Sequence, residues 1–217
     1  MTISDSTVAI IGTGNIGSIL ATNFAAGGQD FLLAGRDQEA VRKVASGLGG
    51  HAEAVSVDEA VDRADVLVLA VWLDAFEQLV AQYGERLAGK IIVDPTNPVG
   101  PGADGNYRKT IPEQESSGQI LAGLLPAGTR LVKAFGTLSA PTLAAVARQA
   151  PERAVLFYAA DDDRAGDLIA DLIRVSGYEP VQVGGLDQSI RIEMFGDLHE
   201  YGALGRAVTR SEALAAV

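Results

Sequence analysis

The residues with the clearest chemical meaning are three glycines in the string Gly12-Thr13-Gly14-Asn15-Ile16-Gly17. The string follows a short β-branched run, Val8 to Ile11, and opens a segment whose apolar residues recur at helical spacing. Between a strand and a helix, such glycines allow a tight turn and bring backbone N–H groups close to a bound anion. The spacing therefore predicts a site for the phosphates of a dinucleotide, although an ordinary glycine-rich turn would have the same sequence.

The end of the second predicted strand indicates which dinucleotide is favoured. An acidic residue there would accept hydrogen bonds from the ribose of NAD, but this chain has Gly35 followed by Arg36. A guanidinium group can bind a 2′-phosphate through two charge-assisted hydrogen bonds, so the pattern favours NADP, with the Thr13 hydroxyl as a second contact. Two alternatives stay open: Arg36 is a solvated residue paired with Asp37, or Asp37 itself contacts a ribose.

Few residues offer acid–base chemistry. If the reaction needs a proton donor, the candidates are His199, Lys133 and Tyr107. A place on a helix surface or at a subunit interface is a more ordinary role for His199, and Lys133, in an apolar strand, is expected to extend its ammonium group to water. We assign no catalytic residue from the sequence, and we predict no metal site.

Alternating strands and helices must position these residues. Apolar runs such as Val66 to Val71 and Ile91 to Val93 lack a polar face, which indicates strands buried on both sides of a parallel sheet. Helical spacing separates them, as in residues 15 to 26 and 165 to 175. The alternation continues to about residue 183 and predicts an α/β fold: a doubly wound, mainly parallel sheet in a Rossmann-type dinucleotide-binding domain, residues 1 to 183.

Two segments do not follow this alternation. Residues 95 to 112 are rich in glycine and proline, so we expect a long irregular loop there. Residues 184 to 217 are too few to fold alone, and we expect a short helical C-terminal extension. Its apolar residues need a surface to pack on, and we predict that a second copy of the chain provides it in a homodimer; they are Ile190, Ile192, Met194, Phe195, Leu198 and Leu204.

Composition limits the partners of the chain. The net charge of −11 disfavours nucleic acid, because binding phosphates along a nucleic acid requires a basic face. The chain has no cysteine, which suits a reducing compartment. No apolar run approaches the roughly 20 residues of a membrane helix, and the first residues do not resemble a signal peptide. We expect a cytoplasmic protein that acts on a small molecule and binds neither nucleic acid nor membranes.

Four motifs occur in the order seen in one known family. They are G-T-G-N-I-G at residues 12 to 17, A-G-R-D at 34 to 37, V-D-P-T-N-P at 93 to 98 and V-K-A-F at 132 to 135. Through them, over nearly its whole length, the chain resembles the NADP oxidoreductases that depend on the deazaflavin coenzyme F420. The resemblance implies an NADP-dependent oxidoreductase that transfers hydride between NADP(H) and coenzyme F420 as co-substrate.

The resemblance also implies which residues hold the two substrates. By that analogy Arg36 and Thr13 contact the 2′-phosphate, and the acceptor ring stacks above the nicotinamide, close to the C-terminal extension. Five residues at the ends of later strands would surround the nicotinamide: Val71, Trp72, Asn97, Pro98 and Ala134. For Trp72, a place in the core or in an interface is an equal alternative.

Three positions depart from the family pattern. Gly35 stands where a serine is frequent, Ala40 where a lysine is frequent, and Gly136 where an asparagine or histidine usually follows the A-F pair. The last departure removes a polar side chain from the floor of the acceptor pocket. Two other functions therefore stay open: an NADPH-dependent reductase of a flavin, quinone, imine or carbonyl compound, and a non-catalytic NADP-binding sensor of redox state.

Overall fold

The computed structural model of this protein describes residues 2 to 217. Strands and helices alternate along most of the chain, as the sequence predicts. In chain order the elements are β1 (Val8–Ile11), α1 (Asn15–Ala26), β2 (Phe31–Ala34), α2 (Gln38–Ser46), β3 (Ala52–Ala54), α3 (Val57–Arg63), β4 (Val66–Leu69), α4 (Leu73–Tyr83), β5 (Ile91–Asp94), β6 (Val99–Pro101), β7 (Tyr107–Lys109), α5 (Ser117–Leu124), β8 (Arg130–Lys133), α6 (Ala140–Ala145), β9 (Val155–Ala160), α7 (Asp163–Val175), β10 (Glu179–Gln182), α8 (Ser189–Ile192) and α9 (Arg210–Leu214).

Eight of these strands form one sheet in the order β10-β9-β8-β5-β4-β1-β2-β3. Neighbouring strands are parallel except β8 and β9, which run antiparallel. From β1 the chain builds β2 and β3 on one side and then crosses to β4 on the other, so a crevice opens between the carboxyl ends of β1 and β4. The predicted doubly wound, mainly parallel sheet is confirmed.

The sheet is buried on both faces, which explains the continuous apolar runs. Every residue of β1, β4 and β9 is buried. Alternate side chains of β1 point to opposite faces, so Ile10 packs in one core with Phe24 of α1, and Ile11 packs in the other with Phe76 of α4. Within residues 2 to 217, none of the helices has both the length and the apolar character needed to cross a bilayer.

The expectation of a wholly irregular loop at residues 95 to 112 is wrong. Strands β6 and β7 pair antiparallel in a short hairpin, with Val99 opposite Lys109 and Pro101 opposite Tyr107. The hairpin closes where the Gly102 N–H donates to the Asn106 carbonyl at 2.7 Å, and Gly105 supplies the positive φ of 80° that the turn requires. Both strands have only three residues, and β6 contains Gly100 and Pro101, so they carry too little apolar pattern to be recognised from sequence.

The C-terminal extension, residues 184 to 217, packs on the chain's own sheet. Ile192, Leu198 and Val208 share a core with the outward face of β9 and with Val181 of β10. Of the six apolar residues expected to pack on a second subunit, Ile192 and Leu198 are buried in this core and need no second subunit to cover them. Phe195, in contrast, remains 50% exposed.

Candidate functional site

The glycine string forms the turn between β1 and α1 at the crevice of the sheet. Gly12 has a φ of 117°, and a β carbon there would lie 2.3 Å from the Ala70 carbonyl oxygen. A β carbon at Gly17 would lie 2.0 Å from the Gly12 oxygen, so both positions require glycine for steric reasons. Gly14 differs, because a β carbon there would meet no atom within 4 Å. The loop therefore presents an exposed, open backbone surface at Gly14.

The first turn of α1 has free backbone donors beside that surface. Asn15, Ile16 and Gly17 begin the helix, and Gly14 occupies the N-cap position without a side chain to accept their hydrogen bonds. The loop itself is held from inside, because the Ser18 hydroxyl donates to the Thr13 carbonyl at 3.0 Å. Free N–H groups and the positive end of the helix dipole make this turn suitable for a phosphate.

Arg36 lies exposed directly after β2. Within residues 2 to 217 its guanidinium forms no ion pair, so the alternative in which Asp37 is its partner is not observed. The carboxylate of Asp37 instead caps α2, accepting hydrogen bonds from the backbone N–H groups of Glu39 and Ala40 at 2.9 and 3.1 Å. The cationic group is thus left available to an external anion.

Gly35, the buried residue before Arg36, packs closely against Val41 and Thr13. A β carbon at Gly35 would lie 3.2 Å from Val41 Cγ2 and 3.7 Å from the hydroxyl oxygen of Thr13. Thr13 of the first loop and the end of β2 are therefore neighbours, as a shared contact with one phosphate requires. The serine that is frequent at this position in the family would crowd Val41 here.

The end of β4 contributes Val71 and Trp72. Val71 is half-buried, with Cγ1 3.3 Å from the position a β carbon of Gly12 would take. Trp72 precedes α4 and is 61% exposed, so its alternative place in the core is wrong. An exposed indole beside the glycine turn is available to a planar ligand or to a partner.

Asn97 joins three segments at the carboxyl ends of β5 and β8. Its side-chain N–H donates to the Gly136 carbonyl at 2.9 Å, and its side-chain oxygen accepts a hydrogen bond from the Met194 N–H at 2.6 Å. Pro98 and Ala134 are buried behind it, with Ala134 only 1% exposed. Of the five residues implied around the nicotinamide, Trp72 has an exposed side chain, whereas Pro98 and Ala134 are buried.

A buried ionic network lies beneath this region, and the sequence reasoning missed it. Lys133 is 1% exposed, so the expectation that its ammonium group reaches water is wrong. Lys133 Nζ donates to Asp94 Oδ2 at 2.7 Å, to the Thr96 carbonyl at 2.6 Å and to Ser117 Oγ at 2.8 Å, and it lies 3.5 Å from Glu193 Oε1. A lysine in an apolar strand beside an aspartate-ended strand was the only sequence signal for it.

The second carboxylate of the network fixes the start of the C-terminal segment. Glu193 is 1% exposed, and its Oε1 accepts hydrogen bonds from the Ser117 hydroxyl at 2.8 Å and from the Gly118 N–H at 3.1 Å. The ammonium of Lys133 is thus shared between carboxylates from β5 and from the extension. This arrangement ties the extension to the carboxyl end of the sheet.

His199 lies fully buried in the extension, not on a helix surface. Its Nδ1 accepts a hydrogen bond from the Tyr201 N–H at 2.9 Å, and no described residue pairs with Nε2. Burial lowers the pKa of His199 to about 4, although the Glu200 carboxylate and the Gly136 carbonyl oppose the shift. The imidazole is therefore neutral at pH 7. Tyr107, the remaining proton-donor candidate, is 52% exposed on β7.

Several buried polar atoms around this region have no partner among the described residues. Such groups in folded proteins are usually satisfied by water or by a ligand. Those that belong to the ends of β5 and β8 and to the extension are Thr96 Oγ1, Thr137 Oγ1, Glu193 Oε2, His199 Nε2 and Glu200 Oε2. The interior around the ends of β5 and β8 and the extension is consequently polar, even though Gly136 itself has no side chain.

Comparison with known proteins matches an N-terminal part of the chain to a family. Residues 7 to 98 match the sequence model of the family described as NADP oxidoreductase, coenzyme F420-dependent. This range contains the glycine loop, Arg36, Trp72 and Asn97, whereas Ala134 and the extension lie outside it.

Longer matches extend over most of the chain. The F420-dependent NADP reductase of Methanothermobacter thermautotrophicus is 30% identical over 197 residues, which cover 86% of this chain and 84% of that protein. The crystal structure of a hypothetical protein from Sinorhizobium meliloti is 30% identical, with a TM-score of 0.82 over 94% of this chain and 96% of that one. A candidate F420-dependent NADP reductase from Arthrobacter shares the fold at 22% identity, with a TM-score of 0.72 and coverage of 85% and 87%.

Proposed function

This chain belongs to the family of coenzyme F420-dependent NADP oxidoreductases, and from that premise we propose that it transfers a hydride between NADP(H) and coenzyme F420. The observation that carries the proposal is the pairing, at the crevice of the sheet, of an open glycine turn with an arginine that has no carboxylate partner in residues 2 to 217. The turn suits a pyrophosphate, and the arginine suits a 2′-phosphate.

The glycine turn and the end of β2 would hold NADP(H). Gly12 and Gly17 set the turn, and the N–H groups of Asn15 and Ile16 would donate to the phosphates that approach Gly14. Arg36 would bind the 2′-phosphate, together with the Thr13 hydroxyl, because Gly35 leaves these two residues in proximity. Asp37 caps α2 through Oδ1 alone, so a ribose contact by this residue would have to use Oδ2.

The ends of β4, β5 and β8 would enclose the nicotinamide. We propose that Val71, Trp72, Asn97, Pro98 and Ala134 form its surroundings. When bound, NADP(H) and coenzyme F420 supply the redox chemistry, a hydride passed from one ring to the other. The contribution of the protein is orientation and exclusion of water, which does not require a catalytic acid or base. The absence of an assigned proton donor agrees with this mechanism.

The C-terminal extension would complete the acceptor site and mediate assembly. We propose that residues 1 to 183 are the NADP-binding domain and that residues 184 to 217 contact the acceptor and a second copy of the chain in a homodimer. Exposed apolar side chains of the extension support an interface there: Tyr201, Leu214 and Val217. A cytoplasmic location is proposed as well, because the chain has no cysteine and the family's substrates are small molecules.

Steady-state oxidation of NADPH tests the proposed function. The purified chain is mixed with NADPH and, in separate reactions, with oxidised coenzyme F420, FMN and a panel of quinones, imines and carbonyl compounds. We expect loss of NADPH together with loss of oxidised F420 in equal amounts, and much slower reaction with the others. Turnover with another acceptor and none with F420 would refute the acceptor, and NADPH binding without any turnover would support the sensor instead.

A further inference from the structure

A strained turn displays an aromatic ring at the edge of the acceptor region. Residues 193 to 196 form a β-turn in which the Gly196 N–H donates to the Glu193 carbonyl at 2.8 Å. Phe195 is the third residue of that turn and has a φ of 75°, a conformation usually reserved for glycine or asparagine. Its ring is nevertheless 50% exposed, so packing against the core does not explain why an aromatic residue occupies the position.

Buried contacts on both sides hold the turn in this conformation. Before it, the Glu193 carboxylate is bound by Ser117, Gly118 and Lys133. After it, Leu198 is 2% exposed and its N–H donates to the Arg191 carbonyl at 2.9 Å. The ring of Phe195 is therefore presented from a fixed backbone rather than from a loose loop.

The turn lies next to the proposed nicotinamide site. Met194, the residue before Phe195, donates its N–H to Asn97 Oδ1 at 2.6 Å. The same Asn97 side chain donates to the carbonyl of Gly136, a position without a side chain. Because consecutive Cα atoms are about 3.8 Å apart, Phe195 lies within one residue of the Asn97 contact.

We propose that Phe195 is an acceptor-binding residue, whose ring forms one wall of the acceptor pocket and stacks on a planar heteroaromatic acceptor such as a deazaflavin. This inference rests on the proposed function and assigns a specific residue to its acceptor side. Offset or edge-on contact between aromatic rings holds a planar substrate without a charged partner. Fixing the ring in place before binding lowers the cost of orienting the acceptor for hydride transfer.

Three substitutions at one position test the inference. Phe195→Gly removes the ring and also the strain, so we expect an unchanged or higher Tm but a KM for coenzyme F420 raised about fivefold or more. Phe195→Leu keeps apolar bulk without the ring and should give an intermediate KM. Phe195→Tyr keeps the ring and should restore a KM near that of the unaltered chain. The Kd for NADPH should stay within about twofold in all three, since the ring is assigned to the acceptor alone.

A matched control and a binding measurement separate the possible outcomes. Leu124→Ala removes an equally exposed apolar side chain from α5, 49% exposed, and should leave the KM for F420 unchanged. An unchanged KM for F420 in Phe195→Gly, with or without a higher Tm, would overturn the inference. The inference would also be overturned if Phe195→Gly dissociated a dimer in sedimentation analysis without losing F420 binding. Direct titration of F420 in the presence of NADP is done in parallel. If the unaltered chain binds F420 without turnover, the proposed function fails, and the Kd values of the Phe195 variants for F420 still test the inference. If the unaltered chain binds no F420, both the proposed function and the inference fail.

Discussion

Removing the buried ammonium of Lys133 should destabilise the fold far more than removing a surface lysine. In Lys133→Met, Asp94 and Glu193, which are 0% and 1% exposed, would face each other without a cation and without water to replace it. The variant loses an ion pair at 2.7 Å, a second at 3.5 Å and two further hydrogen bonds to neutral oxygens. Breaking a buried pair by removing one partner costs about 3 to 5 kcal/mol, so we expect a loss of about 4 kcal/mol.

Urea unfolding followed by circular dichroism measures that loss. For a chain of this size the same change would lower the Tm by about 10 °C. Lys90→Met is the matched control, because Lys90 is half-buried and, within residues 2 to 217, its Nζ has one hydrogen-bond acceptor, the Ala64 carbonyl at 2.6 Å. Its loss should cost about 1 kcal/mol. The double variant Lys133→Met with Glu193→Gln should lose less than the sum of the single variants, since it removes one of the uncompensated charges. A loss below about 1 kcal/mol in Lys133→Met would refute the reasoning.

Three further predictions concern the cofactor site and the buried histidine. Arg36→Ala should raise the KM for NADPH about tenfold or more while leaving the KM for NADH unchanged. Arg42→Ala, which removes an exposed neighbour, should alter neither KM. An equal rise in both KM values would contradict a 2′-phosphate contact. Gly14→Val should keep its Tm yet weaken NADPH binding measured by fluorescence titration, whereas Gly17→Val should lower the Tm, because only the second β carbon meets backbone. His199 binds a proton near pH 6.5 in the unfolded chain and only near pH 4 in the folded chain. Its contribution to the free energy of unfolding is therefore complete above pH 6.5 and is lost as the pH falls toward 4. The free energy of unfolding should therefore drop by about 2 kcal/mol between pH 7.5 and 5, and a His199→Asn variant that shows the same drop would exclude His199 as its source.

The sequence predicted the central sheet closely, because burial on both faces leaves a strong signal. The run at β1 matches the observed strand residue for residue, β2 ends just before Gly35 as expected, and α1 begins and ends as expected. The hairpin at residues 99 to 109 left no such signal, since its strands are short and largely solvated.

Only part of the proposed site could be predicted from the sequence. The glycine turn and Arg36 are contiguous motifs whose chemistry follows from local geometry. The directly bonded pairs in the network around Lys133 are 16 to 76 positions apart, and Ser117 and Glu193 are the most distant of these pairs. Such a network depends on which strands become neighbours, and residue types alone do not specify that. For the same reason Lys133 was expected in water and His199 on a surface.

The order of strands in the sheet has a consequence for how this chain can diversify. The residues proposed for the phosphates of NADP follow β1 and β2 and precede residue 37, whereas Phe195, proposed for the acceptor, belongs to the extension after residue 183. Mutations in the extension can therefore alter the acceptor side while the phosphate-binding residues stay unchanged. Asn97 connects the segment after β5 with the segment after β8 and with the extension, because its carboxamide contacts both Gly136 and Met194. Relatives that use a different acceptor are expected to keep Asn97 and to differ in the turn at residues 193 to 196.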